Sequence, residues 1–117
     1  MSTDLHRRML AFNYEDDDRA ALMRKVWEPT PWMVDAYDGG YSNARYREIL
    51  HWCYDTFGEQ ASPIHKRSGR WQRGSATING WTWFGFSTQA ELEQFVARWP
   101  TPEGVTIPTD VAREPVP

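Results

Sequence analysis

The sequence predicts an α+β fold, in which a small antiparallel sheet of about three strands packs against three to four helices and a proline-rich tail follows. Three observations carry this expectation. Asn79-Gly80 supplies two successive residues that tolerate positive φ, as a two-residue type I′ hairpin turn requires. Trp81-Thr82-Trp83-Phe84-Gly85-Phe86 is a dense aromatic run suited to a buried strand. Thr88-Gln89-Ala90-Glu91 has capping-box spacing, and Leu92, Phe95, Val96 and Trp99 recur at helical intervals until Pro100 stops them.

The other elements follow in chain order. Met9-Leu10-Ala11-Phe12-Asn13-Tyr14 reads as a first strand. Asp16-Asp17-Asp18 then place negative charge at a helix N-terminus, with Leu22, Met23, Val26 and Trp27 as its apolar side and Pro29 as its end. Thr30-Pro31 has the form of an N-cap followed by proline at the first helical position, so Pro31–Asp38 is expected to be a short helix closed by Gly39-Gly40. Ser42 is the expected cap of the next helix, with Tyr41 and Tyr46 as a hydrophobic staple. Tyr46, Ile49, Leu50, Cys53, Tyr54 and Phe57 give that helix its apolar stripe, and Gly58 ends it. Glu59–Gly69 is a loop with a basic end. Helices on one face of the sheet complete the expected two-layer arrangement.

At 117 residues the chain has the length of one domain. The expected division is an α+β domain over 1–100 and an extended tail over 101–117, where five prolines from Pro100 onward oppose regular structure. Seven Trp, five Tyr and five Phe allow a small core to be filled by few side chains. The single cysteine, Cys53, rules out an internal disulfide framework and an all-cysteine zinc site. Met1–Arg8 is polar with no apolar run behind it, and no stretch approaches the ~20 apolar residues of a membrane span, so a soluble cytoplasmic protein is expected.

The net charge of −3 is unevenly spread. Residues 1–40 carry eight acids against five bases, residues 41–73 six bases against three acids, and residues 74–117 five acids against two bases. A basic centre between acidic ends points to an anionic or dipolar partner, while net acidity argues against a general nucleic-acid binder.

Trp52-Cys53, Phe57-Gly58, Arg70-Trp71 and an aromatic strand leading through Ala90 and Phe95 to Arg98-Trp99 resemble small uncharacterised proteins of tailed phages. Those carry a W-C…F-G…R-W segment and end in an aromatic strand plus a short helix closing on R-W. The resemblance runs through spaced single residues over less than half the chain, and the eighteen residues after Trp99 depart from it. It implies a phage-like origin and brings no activity with it.

The candidate chemistry is sparse. Arg47, His51 and Asp55 stand at i, i+4 and i+8 on the polar side of their helix, where a carboxylate could orient an imidazole; a solvated charged face has the same pattern, and no nucleophile is placed beside it. Cys53 is two residues from His51, hence about 200° away around the helix, and reads as a core cysteine. His6, His51 and His65 lack metal-ligand spacing, and the aspartates lack the glycine and distal glutamate of a calcium loop, so no metal or cofactor is expected. The strongest candidate is His65–Arg73, where Lys66, Arg67, Arg70 and Arg73 surround Trp71 and Gly69 permits a close backbone approach. Such residues serve phosphates and stacked bases, or a protein interface rich in Arg and Trp; a solvated loop with Trp71 turned inward is the alternative. Trp52 falls off the centre of its apolar stripe and calls for a cover, either a partner or the tail.

These residues predict a non-catalytic, phage-like accessory protein that binds a host or viral protein, of counter-defence or host-takeover type, with Trp52, Lys66, Arg67, Arg70, Trp71 and Arg73 as contacts. The alternatives are nucleic-acid binding through the 65–73 loop, and a structural or assembly role in a virion with self-association.

Overall fold

Six consecutive buried residues, Trp81–Phe86, form the middle strand of a three-stranded antiparallel sheet. The computed structural model describes residues 17–74, 77 and 79–105; the strand expected around 9–14 and the tail beyond 105 lie outside them. In chain order the elements are α1 (Asp17–Trp27), β1 (Trp32–Tyr37), α2 (Ala44–Phe57), a 3-10 turn (Pro63–His65), β2 (Trp71–Arg73), β3 (Trp81–Phe86) and α3 (Gln89–Arg98). The sheet order is β1-β3-β2, with Trp32 opposite Phe86 and Tyr37 opposite Trp81 on one side and Trp71 opposite Phe86 on the other. The chain is therefore α+β, and among the described residues no helix is long and apolar enough to cross a membrane.

Side chains alternate across the sheet, so burial divides into two clusters. Val34, Ala36, Trp71, Phe84 and Phe86 meet Ile49, Cys53 and Phe57 of α2 and Leu92 and Phe95 of α3. On the opposite face Met33 and Trp83 meet Met23, Val26 and Trp27 of α1. Helices thus cover both faces rather than the one expected, which is why no position of β3 is polar-out. Gly85 lies on the α1 face, where a Cβ would sit 2.6 Å from the Thr30 carbonyl oxygen and 2.9 Å from the Trp27 ring.

The segment expected as a short helix over Pro31–Asp38 is the edge strand β1. Thr30 does not cap a helix; its N–H donates to Trp27 O (2.9 Å) and its hydroxyl accepts from buried Gln72 (2.7 Å). Burial of Met33, Val34, Asp35 and Ala36 in alternation against β3 and the two helix layers outweighs the local Thr-Pro signal.

Asn43, not Ser42, caps α2, its Oδ1 accepting from Arg45 N at 2.9 Å, while the Tyr41 and Tyr46 rings still meet edge-on at 5.1 Å. The α3 capping box is present with both of its reciprocal bonds. Asn79 and Gly80 have φ of 54° and 84°, yet the β2–β3 register is not that of a two-residue turn. Such a turn would set Gly74 opposite Gly85, whereas Gln72 occupies that place. Gly80 instead offers its carbonyl to the N–H groups of Asp38 and Gly39 (2.7 and 3.1 Å), locking the connection to the end of β1. Asp38 is fully buried there and accepts from Thr82 Oγ1 (2.6 Å), Gly40 N (2.8 Å) and Thr77 Oγ1 (3.2 Å).

Candidate interaction surface

The basic loop is clasped rather than slack. After Phe57 the chain turns at Gly58 and runs beside β2, with Ala61 N donating to Trp71 O at 2.7 Å. Ser62 and Arg67 exchange backbone hydrogen bonds of 2.9 and 3.0 Å around the Pro63–His65 turn, closed by Lys66 in the left-handed region at φ 56°. A Cβ on Gly69 would lie 2.4 Å from Ala61 N and 2.6 Å from Glu59 O. The close approach that Gly69 allows is therefore to the chain itself.

The six expected contact residues fall into different places. Trp71 is wholly buried, its ring stacked 6.5 Å from Phe84 and its Nε1 donating to Gly58 O at 2.8 Å. As β2 leaves the loop, side-chain alternation sends Trp71 into the α2–α3 core, so it is not a contact residue but a support. Arg70 donates from Nε to Glu91 Oε2 at 2.5 Å, and its guanidinium lies 5.6 Å from the Phe57 ring centre. Arg73 rests 5.5 Å from the Tyr46 ring centre and donates to Gly74 O. Lys66 and Arg67 are exposed at the loop tip, whereas Arg70 is ion-paired with Glu91.

Trp52 is half-buried, edge-on to Phe57 at 5.4 Å and tilted to Phe95 at 6.2 Å. It lines a shallow groove between α2 and the end of α3 together with Glu48, His51, Asp55, Arg98 and Trp99. His51 and Asp55 thus share a groove, but no hydrogen bond joins them among the described residues. The Arg98 guanidinium already sits 3.9 Å from the Trp99 ring centre. Trp52 and Tyr54 are two residues apart on α2 and point about 200° apart, so the Trp52 groove and the basic loop are separate surfaces.

Sequence reasoning passed over the most exposed apolar side chain near the loop. Ile64, at the crown of the 3-10 turn, is 66% exposed, and Tyr54, expected in the apolar stripe of α2, is 44% exposed. Leu22, expected on the apolar side of α1, is 57% exposed on the helix that packs against this turn. The signal available for Ile64 was a lone branched apolar residue in an otherwise polar and cationic loop. A cleft of about 610 Å³ lies on one side of the turn, lined by Tyr54, Glu59, Ser62, His65, Arg67 and Ser68. A smaller one of about 330 Å³ on the other side includes Val26, Pro63, Ile64 and Gln72. Ser62 Oγ lies 2.8 Å from His65 Nδ1, which fixes the imidazole at the join of the two.

Electrostatics mark the supports rather than a reactive centre. Burial pushes the Glu91 carboxyl up, but hydrogen bonds from Ser87, Arg70 and Thr88 outweigh it and hold the group below its ordinary value. Burial raises the Tyr46 phenol against the opposing Arg73 charge, and burial alone raises the Cys53 thiol far above its ordinary value. Arg45 is lowered by burial; it donates to Tyr37 O and Pro100 O, both at 2.8 Å, tying the end of β1 to the residue that stops α3. Among the described residues no group of three His, Cys, Asp or Glu side chains is placed to hold a metal ion. Comparison with protein-family models, curated proteins and solved structures finds no match to this chain.

Proposed function

We propose that the chain is a small, non-catalytic accessory protein that works by binding another protein through the 59–68 loop. In the phage-like setting that the sequence resemblance implies, the partner is a host or viral protein whose action is blocked or altered. The observation that carries this reading is Ile64, an apolar side chain held out in solvent on a backbone-clasped turn. Maintaining it there costs solubility, and an exposed apolar residue on a loop that also exposes Lys66 and Arg67 has the make-up of an interface core with a polar rim. Support for nucleic-acid binding is weaker, since the ring that would stack on a base is inside the core.

The test is affinity capture from host and infected-cell lysates, with and without nuclease. Wild type is compared with Ile64→Asp and with the double variant Lys66→Glu/Arg67→Glu. A stoichiometric protein that survives nuclease and is lost with both variants is the expected result. Recovery of nucleic acid alone, of the chain alone, or of the same protein by Ile64→Asp would overturn the reading.

A further inference from the structure

Half-buried Trp52 sits in the groove between α2 and the end of α3, and charge along that groove is segregated. At one end the guanidinium groups of Arg98 and Arg45 both lie on the Trp99 ring, 3.9 and 5.3 Å from its centre, and Glu48 is within reach of the Arg45 charge. At the other end Asp55 is exposed in the last turn of α2, a turn that holds no basic residue. A carboxylate there adds to the negative end of the helix dipole instead of opposing it. Among the described residues no cation pairs with Asp55, although exposed His51, one turn back, lines the same wall. The Trp99 indole is 8% exposed, and its Nε1 is buried without an acceptor.

We infer that this groove docks an arginine-bearing segment of a partner protein, with the arginine laid across Trp52 and its guanidinium on Asp55. The surface is separate from the 59–68 loop, so the inference stands whether or not that loop binds. Charge complementarity selects the sign of the occupant: the groove's own cations are gathered on Trp99, and the Asp55 end carries an uncompensated negative charge. Trp52 selects its length, because only a side chain with a long apolar stem covers an indole while its head reaches a carboxylate three residues further along the helix. The guanidinium fork pairs with a carboxylate through two parallel bonds and stacks on aromatic faces, which an ammonium group does not match. A lone cation would leave the Trp99 N–H without an acceptor, whereas a chain segment brings main-chain carbonyls with it. An acidic segment would meet Asp55 with like charge.

The experiment is a titration of the purified chain with acetyl-Ala-Arg-Ala-amide, followed by backbone and indole N–H shifts in NMR. The matching peptide with citrulline, which keeps the shape of arginine and loses its charge, is titrated as a separate arm. The arginine peptide is expected to give saturable shifts at Glu48–Asp55, Arg98 and the Trp52 and Trp99 indoles, with the citrulline peptide about tenfold or more weaker. Asp55→Asn, at an exposed position that leaves the core untouched, should weaken the arginine peptide to the same degree, and Glu48→Gln should weaken it less. Equal binding of the citrulline peptide, unchanged binding by Asp55→Asn, a larger effect of Glu48→Gln, shifts centred on 59–68, or no saturation would each overturn the inference. Concentration-dependent shifts of the same groups in the free chain would assign the groove to a second copy and overturn it as well.

Discussion

Arg70 and Glu91, at the root of the basic loop and in the first turn of α3, face each other at 2.5 Å, the arginine side chain 59% exposed and the glutamate 7%. The same carboxylate accepts from the Thr88 N–H and is bonded by Ser87 Oγ, so one side chain holds both a helix cap and the loop. Arg70 is therefore a strut between loop and helix while much of its side chain stays in solvent.

Acidification should weaken the fold through this group. Its carboxyl is held below the ordinary value in the native state, so the ionised form stabilises the protein above the unfolded value of about 4.3, and that contribution disappears as pH falls through the lower native value. Urea unfolding at pH 7 and again in the acid range should show a stability loss on acidification that is smaller in Glu91→Gln. At pH 7, Glu91→Ala should cost about 1–2 kcal/mol by removing the cap and the strut. An identical pH profile in the Gln variant would contradict this account.

Cys53 should be inert in the native protein. It is fully buried in the α2 stripe, and burial raises its thiol well above the ordinary range, so both access and the thiolate are lacking. Labelling by a thiol reagent should follow the unfolding rate and become rapid in denaturant. Fast native labelling would place the side chain elsewhere.

Trp71 and Ile64 should exchange the roles that composition suggests for them. Trp71→Ala removes a wholly buried ring and leaves the Gly58 carbonyl without its donor, and should cost about 3–5 kcal/mol in denaturant unfolding. Ile64→Asp, at a 66% exposed position, should change stability by less than about 0.5 kcal/mol while abolishing partner capture.

Gly69→Ala should destabilise the loop without touching any exposed contact. The new methyl would meet the Ala61 and Glu59 backbone at 2.4 and 2.6 Å, and neither neighbour is a flexible side-chain end. A loss of about 1–3 kcal/mol is expected, together with faster amide exchange at Ala61, whose N–H bonds Trp71 O.

What could be seen in the sequence was what is settled locally. The α3 capping box, the apolar period of Ile49, Cys53 and Phe57, and the positive φ of Asn79 and Gly80 depend on neighbours a few residues away. β1 did not, because its partner strand comes some fifty positions later and the local Thr30-Pro31 pair imitates a helix start. The same holds for the second helix layer: nothing near Trp27 announces that it closes over Gly85. Loop residues were harder still. Trp71 and Arg73 share one face of β2 and Gln72 the other, and both faces are covered, the first by α2 and α3 and the second by α1, so charge and aromatic content alone could not separate strut, core and exposed tip.

The central place of β3 has a consequence for the order in which the molecule is made. β1 and β2 each pair with β3 and not with each other, and β3 is the last of the described strands to be synthesised. A nascent chain that has emerged only as far as β2 holds two strands with no ladder between them, and its apolar faces wait for Trp81–Phe86 and α3. The described sheet can therefore close only once β3 has been made, through pairings of long sequence separation of the kind that slow folding.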